Sequence, residues 1–170
     1  MKKIVSIVLL AGVLFACDAP KKKELKEVKE PAMEKKEAVK MGATRFEELN
    51  GYFVKNTVEF DKDYIFVAVS NQKDFDTYFG IAKTMDNKVT ALDFEKFNVA
   101  GILVKPSKKA SKIEMTKYTA EGAKTIVGFT NVLGEDQTFT SGALMLFKLP
   151  KSRTSVDFVN GSAIVNIEVK

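Results

Sequence analysis

Two pairs of neighbouring carboxylates are the first candidates for chemistry, because paired acids can hydrolyse glycosides or bind calcium. Asp61 and Asp63 flank Lys62, and Glu135-Asp136 follows Gly134. Both sets lie among turn-forming residues, where acidic side chains usually accept hydrogen bonds from their own backbone. A calcium loop needs more oxygen ligands around a central glycine, and no spacing favours a glycosidase pair. The sequence therefore predicts two turns, with no metal site and no catalytic residue.

Nucleophilic catalysis lacks its usual partners in this chain. The 170 residues contain no histidine and one cysteine, Cys17, which excludes histidine-activated nucleophiles and zinc sites made of histidine and cysteine. A serine–lysine pair could come from Ser107 with Lys108, or from Ser111 with Lys112. Neighbouring residues of a strand point to opposite faces, which argues against both pairs. We therefore predict a protein that is not an enzyme and has no cofactor.

A group of lysines stands out in the second half of the chain. It comprises Lys105, Lys108, Lys109 and Lys112. The neighbouring Pro106 and serines favour an exposed loop tip between two strands. The alternative interpretation is a docking surface for an acidic partner protein.

The net charge of +5 invites comparison with nucleic-acid-binding proteins. The excess is confined to the first 45 residues, since residues 46–170 carry sixteen Lys and Arg and sixteen Asp and Glu. A nucleic-acid binder needs its positive charge on the folded surface. Nucleic acid is therefore excluded as a predicted partner.

The first seventeen residues have the organisation of an export signal. Lys2 and Lys3 precede an apolar run at residues 4–15, which is shorter than the roughly 20 residues that span a bilayer. The sequence Leu14-Phe15-Ala16-Cys17 resembles the lipobox of bacterial lipoproteins, although Phe15 is bulkier than usual. The alternative is an ordinary secretory signal with a cysteine near its end.

The lipobox resemblance implies a membrane anchor. It implies cleavage between Ala16 and Cys17, a diacylglyceryl thioether on Cys17 and further acylation of the new amine by a chain such as palmitate. Two or three such chains anchor a protein stably, because each buried methylene contributes about 0.8 kcal/mol. We therefore divide the chain into a signal peptide (1–16), a lipidated cysteine with a disordered charged tether (17–45) and one globular domain (46–170).

The destination within the cell envelope follows from two further resemblances. Asp18 resembles the inner-membrane retention signal of enteric bacteria, whereas the lysine-, phenylalanine- and asparagine-rich composition resembles bacteria that send lipoproteins to the outer membrane. The prediction favours the outer membrane over the inner one. The tether, as a flexible coil, would reach roughly 30 Å from the anchor.

Strand patterns dominate residues 46–170. Valine-, phenylalanine- and tyrosine-rich or alternating segments predict seven or eight strands. The segments are residues 51–58, 64–70, 98–105, 112–120, 123–133, 143–149, 155–159 and 162–169. One amphipathic helix is predicted at 71–83, with Asn71 as its cap. Asn160-Gly161 indicates a tight hairpin, and Ala163, Val165, Ile167 and Val169 should face the core. The fold class is α+β or mainly β, an antiparallel sheet or sandwich with one short helix.

Residues 64–160 resemble the C-terminal domain of the protease complex subunit PrcB family. The resemblance lies in the helix segment NQKDFDTYFG, the turn ALDFEK, the buried strand NVAGILVK and the segment GALMLFKLPKS. A Gly-Gly-Tyr-type element of that family is replaced here by KPSKKASKIEM. The resemblance implies an exported, non-catalytic protein that stabilises or inhibits a protease.

Two functions remain open on the sequence alone. The first is a membrane-anchored binding or scaffold protein that engages another protein through loops and sheet edges. The alternative is a small envelope enzyme or small-ligand carrier whose carboxylates, lysines and tyrosines converge only in the fold. A deep pocket with several convergent titratable groups would favour the alternative.

Overall fold

Ten strands and one helix make up residues 45–82 and 88–170, the part of the chain that the computed structural model describes. In chain order they are β1 (Glu48–Leu49), β2 (Tyr52–Val54), β3 (Tyr64–Val69), α1 (Gln72–Tyr78), β4 (Phe79–Ile81), β5 (Phe97–Val104), β6 (Ser107–Glu121), β7 (Lys124–Ser141), β8 (Leu144–Pro150), β9 (Ser155–Asn160) and β10 (Ala163–Glu168). The predicted signal peptide, the lipidation site and the tether up to residue 44 lie outside the described residues. The predicted fold class is confirmed: the protein is mostly β, with antiparallel sheets and one short helix.

The central layer is an antiparallel sheet in the order β1-β8-β5-β3. It is covered on both faces, which explains the nearly continuous apolar sequence of β5. Every residue from Asn98 to Val104 is buried, whereas a strand with one solvated face would alternate. Gly101 lies at the middle of β5, where Leu146 and Val67 close over it.

A second sheet, in the order β10-β9-β7-β6, packs on one face of the central sheet. Tyr118, Val127, Phe129 and Phe158 meet side chains of the central sheet such as Phe147 there. The Phe66 and Phe158 rings are stacked with centroids 4.7 Å apart. Aromatic contacts of this kind account for much of the apolar area buried between the sheets.

The third layer, on the opposite face of the central sheet, is formed by α1 and the short β2–β4 pair. Phe75 of α1 and Phe79 of β4 are buried against Val69, Val99 and other residues of the central sheet. Asn71 caps α1 as predicted, since its side chain accepts a hydrogen bond from the Asp74 amide at 2.9 Å. The helix ends at Tyr78 because Phe79–Ile81 pairs with β2. The predicted extension of the helix toward residue 83 is therefore wrong.

The second sheet contains one parallel pair within an otherwise antiparallel fold. β7 pairs with β6 and β9 with β10 as antiparallel hairpins, but β7 and β9 run in the same direction from Lys124–Ser155 to Gly128–Val159. Gly161, with φ of 60°, forms the predicted turn of the β9–β10 hairpin. The parallel register arises because β9 begins beside the β6–β7 turn, where the Thr154 amide donates to the Ala123 carbonyl at 2.8 Å.

Four local predictions are corrected by the fold. The lysine segment 107–112 belongs to strand β6 rather than to a loop tip, and Glu135-Asp136 belongs to β7 rather than to a turn. The first predicted strand, 51–58, shrinks to β2. Ile167 of β10 and the following Val169 pack against the core, but Ala163 and Val165 are exposed, because the backbone bonds to β3 among the described residues are made at Lys170, beyond the other end of the strand.

Candidate functional site

The outer part of the β6–β7 hairpin lacks the support that the rest of the sheet has. β9 pairs with β7 only as far as Gly128, so beyond that point β6 is the one strand partner of β7 within residues 45–82 and 88–170. We call residues 107–114 of β6 together with 130–141 of β7 the ribbon. Between the pairs Ser107–Ser141 and Lys109–Asp136, the β7 side has the longer path, so the segment around Phe139 bulges away from β6.

Large apolar side chains are exposed on the β7 side of the ribbon. Val132 is 46% exposed, Leu133 59% and Phe139 60%. Single exposed apolar side chains are ordinary on a protein surface, and Val132 and Leu133, as neighbours on one strand, place one such side chain on each face of the ribbon. The sequence of residues 130–141 did not predict these exposed apolar side chains, because most of the segment is polar and Gly134-Glu135-Asp136 is typical of a turn.

The predicted lysines lie on the β6 side of the same ribbon or next to it. Lys108, Lys109 and Lys112 are exposed on β6, and Lys105 is exposed in the connection just before it. Lys112 lies directly opposite Val132 in the β6–β7 pairing, so the two side chains are on the same face of the ribbon. The Lys112 ammonium lies 2.6 Å from a Glu114 carboxylate oxygen, and Lys109 is opposite Asp136. The structure thus brings the lysines and the exposed apolar residues together on the ribbon, with Lys112 and Val132 on one face and Leu133 on the other.

Neither serine–lysine pair is assembled. The Lys112 ammonium is bound by Glu114, while Ser111 pairs with Leu133 and so lies on the other face. The Ser107 hydroxyl is engaged with the backbone of Lys109. The prediction that adjacent serine and lysine residues point apart agrees with this register.

The two acidic pairs are also separate. Asp61 and Asp63 lie in the bend before β3, and the Asp63 carbonyl accepts a hydrogen bond from the Lys105 amide at 2.9 Å. Glu135 and Asp136 are on the ribbon. Within residues 45–82 and 88–170, no three carboxylates come close enough together to hold a metal ion.

An interior polar cluster has no counterpart in the sequence analysis. The Asn98 amide donates to the Arg153 carbonyl at 3.4 Å, and the Arg153 guanidinium donates to the Gly122 carbonyl. The Tyr118 hydroxyl and Thr125 hydroxyl are buried without a hydrogen-bond partner among the described residues. Burial raises the pKa of Tyr118, against the opposing effect of the Arg153 charge. The phenol therefore remains protonated at neutral pH.

A crevice of about 360 Å³ separates β3 and α1 from β10. Asp74, Tyr78, Glu168 and Lys170 are among its lining residues, together with the backbone of both strands. Two further crevices lie beside the β2–β4 pair, with volumes of about 320 and 480 Å³.

Comparison with known proteins identifies no relative. No family model, no curated protein and no solved structure matches the chain. In the part of the chain that the structure describes, no helix is long and apolar enough to cross a membrane. The predicted lipidation and cleavage residues, Cys17 and Ala16, lie outside those residues.

Proposed function

We propose that this protein is a lipid-anchored binding or scaffold protein of the cell envelope that docks another protein on its ribbon. The carrying observation is the coincidence of exposed Val132, Leu133 and Phe139 with Lys108, Lys109 and Lys112 on a single two-stranded element. The anchor part of the proposal rests on the lipobox-like sequence at Cys17.

The ribbon suits a partner with an apolar patch bordered by carboxylates. Burial of the exposed apolar side chains on the face that the partner covers would supply favourable free energy, since apolar burial is worth about 25 cal/mol per Å² before the costs of association. The exposed lysines would orient the partner and accelerate its encounter. The neutral charge balance of residues 46–170 argues against a general electrostatic attraction and for this local one.

A protease is the partner class that the PrcB-like segments suggest. The support is the resemblance in residues 64–160, and the replacement of the family's Gly-Gly-Tyr-type element by the lysine segment means that a contact would be made by different residues. The ribbon contains that lysine segment. We therefore propose that the ribbon, in place of the family's element, makes the contact.

Photo-crosslinking in intact envelopes tests the docking proposal. A photoreactive phenylalanine replaces Phe139 in one chain and Lys62, an exposed residue before β3, in a control chain. We expect one protein adduct from position 139, none of the same size from 62, and its loss when Lys108→Glu and Lys109→Glu are added. The same adduct from both positions, or adducts with lipid alone at 139, would contradict docking of a protein on the ribbon.

The anchor has a separate test. Detergent phase partitioning should place the wild-type chain with the membrane proteins and the Cys17→Ser chain in the aqueous phase, because the thioether cannot form. Mass spectrometry should show a mature chain that begins at a diacylated or triacylated Cys17. A free thiol at Cys17, or a different first residue, would refute lipidation while leaving the ribbon test unaffected.

A further inference from the structure

Two edge strands of the large sheets, β3 and β10, lie side by side, and among the described residues their backbones are hydrogen-bonded at one point. The Ser70 amide donates to the Lys170 carbonyl at 2.8 Å, and the Lys170 amide donates to the Ala68 carbonyl at 3.1 Å. These two bonds link the chain just after β10 to the end of β3 with parallel geometry. The crevice of about 360 Å³ lies beside this junction, between residues 66–69 of β3 and the chain from Asn166 to Lys170.

The hydrogen-bonding direction of both strands follows from their registers. In the β3–β5 pairing the Asp63 carbonyl accepts a hydrogen bond from the Lys105 amide, so the backbone of residue 63 faces β5. Ala68 and Ser70 instead bond to Lys170, on the side away from β5. Because the backbone direction alternates along a strand, the N–H and C=O groups of Phe66 also face away from β5. In the β9–β10 hairpin, Asn160 and Ala163 close the turn as a hydrogen-bonded pair, so the backbone of Ala163 faces β9. The Val169 amide also faces that side, since it donates to the Thr154 carbonyl. The backbone groups of Ile164 and Asn166 therefore point away from β9.

Phe66 and Asn166 present these outward groups on opposite sides of the crevice, and Ile164 continues the β10 edge beyond the residues that line it. Among the described residues, none bonds to the outward N–H and C=O groups of Phe66, Ile164 or Asn166. Such edges are templates for another strand unless they are blocked by proline, by charge or by covering chain. Ile164 is 65% exposed, the largest value among the exposed apolar residues of the described chain, and it lies on this edge.

We propose that β3 and β10 bind an extended segment of a partner polypeptide by strand addition at this edge. Main-chain hydrogen bonds to Ile164 and Asn166 hold the segment, and its alternate side chains enter the crevice. Asp74 and Glu168 line the crevice with a single ammonium, that of Lys170, so a lysine or arginine of the incoming segment is favoured. This site is distinct from the ribbon, and neither proposal depends on the other.

Proline at position 164 separates backbone pairing from side-chain contact. The Ile164 amide faces the open edge, so Ile164→Pro removes an outward donor and leaves the β9–β10 bonds intact. Ile164→Thr is the matched control, since it removes most of the apolar side chain but keeps the donor and a β-branched residue. Thermal unfolding of both chains confirms that each is folded before binding is measured.

A phage-displayed library of random peptides about ten residues long, the length of an ordinary strand, is the probe. Selected on the full chain in detergent, it should enrich peptides with alternating apolar residues and at least one lysine or arginine. We expect their affinity to fall about tenfold or more in Ile164→Pro, to stay within about threefold in Ile164→Thr, and to fall in a chain with Asp74→Asn and Glu168→Gln. Bound peptide should slow hydrogen exchange at the Phe66 and Asn166 amides.

Four results would overturn the proposal. The first is a selection that enriches no peptide, and the second is equal peptide affinity for the wild type and Ile164→Pro. The third is an equal loss of affinity in Ile164→Pro and Ile164→Thr, because that result would indicate side-chain contact alone. The fourth is a concentration-dependent dimer that Ile164→Pro abolishes, since a second copy of this chain would then be the occupant of the edge.

Discussion

Tyr118 is the largest of the fully buried residues that the structure describes, and its hydroxyl has no hydrogen-bond partner among them. Its ring packs edge-on against Phe46 and Phe147, so the apolar part of the side chain is well placed. The hydroxyl group destabilises the folded state, because a buried polar group without a hydrogen bond loses its hydration with no compensation. Tyr52 offers the opposite case, since its hydroxyl donates to the Thr90 carbonyl at 2.6 Å.

Removal of each hydroxyl should therefore have opposite effects. We expect Tyr118→Phe to leave the free energy of unfolding unchanged or to raise it by up to about 1 kcal/mol, and Tyr52→Phe to lower it by about 1 kcal/mol. Chemical denaturation of the two chains and the wild type measures both values. A clear destabilisation by Tyr118→Phe would show that its hydroxyl is bonded inside the polar cluster.

Asp157 links stability to pH on the outer face of the second sheet. Its carboxylate lies 2.7 Å from the Lys124 ammonium and accepts a hydrogen bond from the Asn166 amide. The hydrogen bond from Lys124 is the largest cause, and that from Asn166 the second, of the lowered pKa of Asp157. A carboxyl group with a lower pKa in the folded state binds fewer protons than in the unfolded state. Its stabilisation is fully present above the unfolded value of about 3.8 and is lost as the pH falls through the lower folded pKa.

Asp157→Asn should accordingly flatten the acid side of the stability profile. The free energy of unfolding, measured by denaturation at a series of pH values below about 5, should fall less steeply in this chain than in the wild type. Asp61→Asn is the charge-matched control, because Asp61 forms no ion pair within the described residues. Identical slopes in all three chains would refute the contribution of the Lys124–Asp157 pair.

At the scale of elements, the predicted start of α1 is correct and its predicted end is wrong. Asn71 provides the cap, and Phe75 provides the buried contact that its spacing predicted. The same helical spacing continues through Phe79 and Ala82, but Phe79–Ile81 is a strand. The reason is tertiary: Gly80 lies beneath the Phe53 ring, and pairing with β2 satisfies more backbone groups than another helical turn would.

The helix cap can be tested in isolation because Asn71 is exposed. Asn71→Ala should lower the free energy of unfolding by about 1 kcal/mol, since the Asp74 amide loses its acceptor. Asn71→Ser keeps a capping oxygen and should remain close to the wild type. The measurement is chemical denaturation followed by far-ultraviolet circular dichroism, and equal stability of the alanine and wild-type chains would argue against the cap.

The ribbon is the element that sequence patterns describe least well. Its lysines and acidic residues are typical of loops, and two of the three irregularities in the β6–β7 register fall within it. Long antiparallel pairing extends through these residues because both strands are held at their two ends. One end is the β6–β7 turn, and the other is the connection to β5 and β8, where the Val104 amide donates to the Ala143 carbonyl.

At the scale of the whole molecule, the double coverage of the central sheet fixes the packing around Gly101. A Cβ atom at this position would lie 2.5 Å from Leu146 Cδ2 and 3.1 Å from the Met145 carbonyl oxygen. Contacts that close require movement of side chain and backbone in a core that has layers on both sides. Gly101 therefore allows β5 and β8 to pack closely at the centre of the fold.

Gly101→Ala should lower the free energy of unfolding by about 1–3 kcal/mol through overpacking. Leu146→Ala should cost about 2–5 kcal/mol by itself through the cavity it leaves. The double substitution should cost less than the two together, because the smaller side chain makes room for the new methyl group. Additive effects in denaturation experiments would show that Leu146 is not the side chain that restricts position 101.

The sequence by itself determined the class of fold and most of the strand positions. The continuous apolar run of β5 and the Asn160-Gly161 turn are local signals, because local hydrogen bonding and side-chain composition are enough to recognise them. The alternation predicted for β6 is interrupted by a bulge between Met115 and Lys117, so Ile113 and Tyr118 both face the core. The lipobox-like segment and the charge distribution are equally local, and they carry the proposed anchor without reference to the fold.

Only the tertiary structure decided which surfaces are open. The exposure of Leu133 and Phe139, the parallel pairing of β7 with β9 and the crevice between β3 and β10 all depend on contacts between residues far apart in the chain. A strand sequence specifies which side chains alternate, but not whether a neighbouring strand ends early or a sheet edge is covered. For this reason Val165 is exposed on β10 while Ile167, on the same face, packs against the core.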